Sequence, residues 1–238
     1  MKQLIEKLAI DYGLNVEPVG SEQLDMLFAY YEDKNDFFLF VIENMVDLHE
    51  KLKTNDNKQE LEHAINNLVY TLLQTEDFLK FKERFIEHNI SIVIVVSGVV
   101  KEEEIGLFKI EENVYTSKKY VLHYDKDNLN VLLSKIGNIE DVKTLDLVLS
   151  NLVKSNSDLL KDTNSEGKWY ELLLRLFIKI PFLNYNKTDI GSEELVAIEE
   201  TISNSLTDEQ RKLISEIHKI DIKKIDAIET HILQKYQL

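Results

Sequence analysis

In "QLIEKLAIDYG", Leu4, Ile5 and Leu8 fall on one face of a helix, and Gly13 stands just past its last turn. The pattern then changes. Two apolar-aromatic runs, Leu27–Tyr31 and Phe37–Ile42, flank the polar "EDKND", which predicts a β-hairpin, with a helix over the first run as the alternative. From Asn55 to His88 the helical period returns. Leu61, Ile65, Leu68 and Leu72 mark one helix, and Phe78, Phe81 and Phe85 continue in a second after "QTED". "ISIVIVVSG" is the most β-branched segment and lacks polar alternation, as expected of a strand covered on both faces. "EIGLFKI" and "YVLHY" read as two further strands, joined by the loop "EENVYTSKK".

Past Asn128 the strand pattern ends. "LNVLLSKIG", "DVKTLDLVLSNLVKS" and "KWYELLLRLFIKI" carry helical spacing, with Gly137 and Asn138 between the first two and Pro181 closing the third. "EELVAIEETISNSL" and the final segment from Glu209 continue it, and Thr207 with Gln210 forms a capping box. The expected class is α+β: an N-terminal mixed α/β domain with a small, mostly antiparallel sheet over residues 1–137, then an all-helical domain over 138–238.

Composition narrows the possibilities. The 238 residues include 28 Lys+Arg against 43 Asp+Glu, a net charge of −15, and no cysteine. Disulfides, thiolate metal sites and cysteine nucleophiles are therefore excluded. The basic residues cluster no more densely than Lys118-Lys119, Arg211-Lys212 and Lys223-Lys224, so contact with DNA is expected only indirectly, through a basic partner. The N-terminus carries acids and no apolar leader, and the longest apolar run falls far short of the roughly 20 residues that span a bilayer. A cytoplasmic protein without membrane contact is expected.

Catalytic patterns are sparse. The glycines stand singly, without the close spacing that lets backbone N–H groups cradle a phosphate. The six histidines, His49, His63, His88, His123, His218 and His231, show no ligand spacing, so neither a metal nor a cofactor is expected. His123 alone stands out, in a strand beside Tyr124 and Asp125, and reads as a half-exposed strand residue. A nuclease of the restriction-enzyme type places Asp on one strand and Glu-x-Lys on the next, to hold Mg²⁺ and stabilise the transition state. Glu32-Asp33-Lys34 and Glu166-Gly167-Lys168 have the letters but lie in turns. Glu111-Glu112 with Lys118-Lys119 has the residue types at another spacing, and a Mg²⁺-dependent nuclease near Glu111 and Glu112 stands as the alternative reading. In the last segment Leu213, Ile217, Ile220, Ile225, Ile228 and Ile232 step by 4, 3, 5, 3 and 4. Either a closing helical pair or a partner-binding helix, with Ile217, Ile225 and Ile228 at the contact, has this spacing.

The stretch "KIEENVYTSKKYVLHY" resembles the central signature of middle components of bacterial ABC-three-component systems, which include Lamassu-type anti-phage defence. The matching positions are Glu111, Glu112, Tyr115, Lys119, Tyr120, Val121 and Tyr124. Where the family carries two aromatics after the acids, this chain has Thr116 and Ser117 after Tyr115. The resemblance implies a non-enzymatic scaffold subunit that bridges an SMC- or Rad50-like ATPase and an effector, often a nuclease. On that reading Glu111, Glu112, Lys118 and Lys119 edge a partner-binding surface, with Tyr115 and Tyr120 as anchors. Alternation along the strand leaves a second role for Tyr120 and Tyr124, packing against the helices.

Overall fold

The computed structural model describes residues 1–19, 24–52, 60–113, 117–139, 144–161, 167–185 and 207. The periodic segments beyond residue 185, with Ile217, Ile225, Ile228 and the Thr207–Gln210 capping box, lie outside the described residues apart from Thr207 itself.

One five-stranded sheet, in the order β1-β2-β3-β4-β5, organises the chain. Its strands are β1 Asn15–Pro18, β2 Met26–Tyr30, β3 Phe37–Asn44, β4 Ile90–Ser97 and β5 Lys118–Tyr124. The hairpin forms as expected: β2 pairs antiparallel with β3, Tyr30 opposite Phe37. β1 adds a short edge strand, also antiparallel. The other half of the sheet corrects the expectation of a mostly antiparallel arrangement, because β3, β4 and β5 pair in parallel. Parallel pairing needs long crossovers and cover on both faces. Residues 45–89 supply such a crossover, and the unbroken apolar runs of β3 and β4 are what double cover demands.

Two helical layers provide that cover. One holds α2 Met45–Lys51, α3 Leu61–Leu73, the short α4 Glu76–Leu79 and α5 Ile86–Asn89, and α6 Glu104–Glu112. Met45, Leu48, Ile65, Val69, Leu107 and Ile110 from this layer pack with Phe37, Leu39, Ile92 and Ile94 of the sheet. The other holds α1 Lys2–Asp11, α7 Lys126–Ile136, α8 Leu145–Ser155 and α9 Lys168–Lys179. It buries Leu4, Ile5, Leu8, Leu132, Leu149 and Leu173 against Phe38, Phe40, Val93, Val95 and Leu122. Residues 37 to 42 alternate between the two cores, as the two-residue period of a strand requires. The class is therefore α+β, with the sheet in the N-terminal half and, among the described residues, helices after it. Gly137, at φ 84, ends α7. The helices on both sides of it feed the same core, within one compact unit, Met1–Lys187.

Two predicted elements take another form. "EIGLFKI" is helix α6, not a strand. Leu107 and Ile110 face the core at helical spacing, while Ile105 and Phe108 are 68% and 55% exposed. Apolar residues on both faces of a helix blur its period and imitate a strand. The helix expected over Phe78, Phe81 and Phe85 is broken into α4, a tight turn at Lys82–Arg84 and α5. Phe85 adopts φ 53, in the left-handed region, and points outward. The break serves Arg84, whose guanidinium donates to the Tyr31 carbonyl at 2.6 Å and to that of Lys34, and lies 4.8 Å over the Phe37 ring. Phe78 and Phe81 still reach the core, against Phe28 at 4.8 and 5.4 Å.

Candidate functional site

β5 is the edge strand of the parallel half, so its outer backbone groups need a partner or a cover. Glu111, in the last turn of α6, supplies one. Its Oε1 accepts the N–H of Val121 at 2.7 Å, in the middle of β5. Both carboxylate oxygens also accept from Lys179 Nζ of α9, at 2.6 and 2.7 Å. α6 and α9 belong to opposite layers, so this ion pair closes around the sheet edge. An edge held in this way is shielded from pairing with a foreign strand.

Lys119 has an inward role as well. It is 5% exposed, and its Nζ donates to the carbonyl and side-chain oxygens of Asn113 at 3.2 and 3.3 Å and to the Ser117 carbonyl at 3.4 Å. It thereby satisfies carbonyls left over where α6 ends. Burial lowers its pKa, and the nearby Glu62 carboxylate works in the other direction. Glu62 also accepts from the Asn113 side chain, which ties α3 to the end of α6. Tyr120 and Tyr124 pack against the core on the α7–α9 side. Of the residues expected to edge a partner surface, Glu112 and Lys118 are exposed, whereas Glu111 and Lys119 work inside the fold. Tyr115 lies outside the described residues.

At the other end of β5 a cleft opens, for a topological reason. The chain leaves β4 through Gly98 and enters α6 in one layer. It leaves β5 through Asp125 and enters α7 in the other layer. Adjacent parallel strands whose connections depart to opposite faces leave a crevice beyond their carboxyl ends, the usual ligand position in open α/β sheets. Here it holds about 360 Å³. Gly98 and Val99 line it just past β4, Glu104 from α6, His123 and Tyr124 from the end of β5, and Asp125 just beyond it. Asn128 of α7 and Lys168, Glu171, Leu172 and Arg175 of α9 complete it.

Several of these groups are already held. Asp125 caps α7 by accepting the Asp127 N–H at 2.7 Å, and Glu171 lies 3.9 Å from Arg175. Gly98 has φ 73, and a Cβ there would meet the Asn44 side chain at 2.7 Å, so only glycine fits. Burial lowers the His123 pKa, and Arg175 lowers it further, with Glu104 opposing. Both effects disfavour the protonated imidazole. Burial also raises the Tyr124 phenol, against a hydrogen bond with Ser97.

The sequence singled out His123 but not the cleft around it. The missed signal was the parallel topology, since residues from 98 to 175 converge only once β4 and β5 run side by side. For a metal nuclease, no group of three or more His, Asp and Glu side chains placed to hold a cation occurs among the described residues. Asp25, just before β2, donates its backbone N–H to the Glu43 carboxylate of β3 at 2.8 Å. Each is paired with a lysine, Asp25 with Lys2 and Glu43 with Lys51. Also among the described residues, no helix is long and apolar enough to cross a membrane.

Comparison with curated proteins and with solved structures gives no match. A family comparison does. Residues 37–147, which run from β3 to the first turn of α8 and include both Glu111 and the β4–β5 cleft mouth, match the family described as ABC-three component (ABC-3C) system Middle Component 1.

Proposed function

We infer that this chain is a non-catalytic middle subunit of an ABC-three-component defence complex, acting by protein contact. The match over residues 37–147 carries the reading. The use of the signature residues agrees with it. Glu111 and Lys119 stabilise the joint between α6, β5 and α9, which leaves the outer surfaces of that joint for partners. The partners in this reading are an SMC- or Rad50-like ATPase and an effector nuclease, as in Lamassu-type systems, meeting in the cytoplasm. DNA is engaged by the complex rather than by this subunit, whose net charge of −15 repels a phosphate backbone.

The test is reconstitution with the proteins encoded beside it. The expected result is a stable complex that requires this chain, and no cleavage of linear or plasmid DNA by the isolated chain in Mg²⁺ or Mn²⁺. A chain that binds neither neighbour at micromolar concentration, or that alone cuts DNA and loses cutting on Glu111→Ala, overturns the reading.

A further inference from the structure

α6 is apolar on two sides. Leu107 and Ile110 are buried in the core beneath it, yet Ile105 and Phe108, one turn apart on its outer stripe, are 68% and 55% exposed. Val100, in the turn leading into the helix, is 53% exposed. Single exposed hydrophobics are ordinary, but a helix with large apolar residues all round is normally covered on both sides. Local rules fail most often at functional surfaces, and this is the segment whose outward residues made a helix read as a strand.

The charge around the stripe indicates what covers it. Residues 101–112, "KEEEIGLFKIEE", hold five glutamates and two lysines. Glu111 faces inward to Lys179, and Glu103 accepts the Val100 N–H at 3.0 Å. Glu102 and Glu112 are exposed beside the stripe, and so are Lys101 and Lys109, with Glu103 and Glu104 half-buried. Four glutamates against two lysines leave the rim mixed but net acidic, which suits an apolar pocket framed mainly by lysine and arginine.

We propose that the outer stripe of α6, with Ile105 and Phe108 as anchors, is the docking face for a basic protein partner. This rests on the middle-subunit reading and assigns the surface through which that subunit holds one of its companions. A second copy of the chain is a poor occupant, because it would bring the same acidic rim against itself. The position of α6 suits the role. Its last turn is fixed to β5 and α9 through Glu111, so the anchors are presented on a rigid support that need not be ordered on binding.

The experiment measures binding of the full-length chain to each purified companion component, by calorimetry at about 50 and 300 mM salt. Variants are Ile105→Ser with Phe108→Ser, and separately Glu102→Lys with Glu112→Lys. All four side chains are exposed, so thermal melts should stay close to wild type and report that folding is kept. The expected result is one companion bound more weakly at the higher salt. The serine pair should weaken its Kd by about tenfold or more, and the charge reversal should weaken it and flatten the salt dependence. Variants that fold and bind that companion within about twofold of wild type overturn the docking face while leaving the middle-subunit reading standing. A wild-type chain that binds neither companion overturns both. Wild type that dimerises through Ile105 and Phe108 overturns the choice of partner.

Discussion

His123 shows how a residue can be noticed in the sequence while its role stays hidden. It stood out as a histidine at the end of a strand beside Tyr124 and Asp125. The α9 residues that lower its pKa lie some 50 positions away in the chain. The consequence for stability has a definite sign. With the folded pKa below the usual 6.5, the unfolded chain takes up the proton first as pH falls, so acidification through and below 6.5 favours unfolding. Above that range both states are neutral and the group contributes nothing. In urea titrations, His123→Gln should therefore differ from wild type by a constant amount above about pH 7, and gain on wild type as pH drops towards about 5. A pH-independent difference would remove the lowered pKa of the half-buried imidazole from the account. Lys119 was legible in a different way. Its place in the signature is plain, but lysines are almost never fully buried without partners, and only the fold shows the Asn113 and Ser117 carbonyls that receive it.

At the scale of elements, the sequence is most readable where one face is buried and the other is wet. α1, the β2–β3 hairpin, α3 and α7 to α9 all follow their apolar spacing. It misleads where a second demand falls on the same residues. α6 carries a core stripe and an exposed apolar stripe, and the phenylalanine series near residue 81 is bent by the reach of Arg84. The parallel pairing of β3, β4 and β5 was not readable locally, because an unbroken apolar strand looks the same in either direction. The joint between α6, β5 and α9 turns on one carboxylate. Glu111→Gln retains an acceptor for the Val121 N–H but leaves Lys179 without its counter-charge, and should cost about 1 kcal/mol. Glu111→Ala leaves both the N–H and the ammonium unpaired and should cost roughly 2–3 kcal/mol. It also uncovers the edge of β5, so aggregation on heating should increase. Urea midpoints at unchanged m-value provide the check, and an Ala variant no worse than the Gln variant would mean that the edge is held elsewhere.

For the molecule as a whole, the question is which residues make a self-sufficient body. Among the described residues, the helices after Gly137, α8 and α9, do not build a core by themselves: ten of the 26 buried residues described in the α1–α7–α8–α9 cluster lie beyond that glycine, from Leu145 to Leu183, against Phe38, Phe40, Val93 and Leu122 of the sheet. Specific bonds reinforce the apolar contact. Asp11 of α1 accepts the Leu145 N–H at 2.9 Å, where α8 begins, and the Tyr12 hydroxyl donates to the Asn184 carbonyl at 3.2 Å. At about 1.5 kcal/mol or more for each large apolar side chain, exposing the surface beneath ten of them outweighs the roughly 5–15 kcal/mol that holds a typical domain together. A fragment of residues 1–137 should therefore fail to unfold cooperatively, remaining loosely packed and binding a hydrophobic dye, while residues 1–187 should show one sharp urea transition. Circular dichroism followed through urea distinguishes them. A cooperative transition in the shorter fragment would show that the sheet and α1 to α7 are stable without α8 and α9, and Glu111 would then have to hold the β5 edge without Lys179.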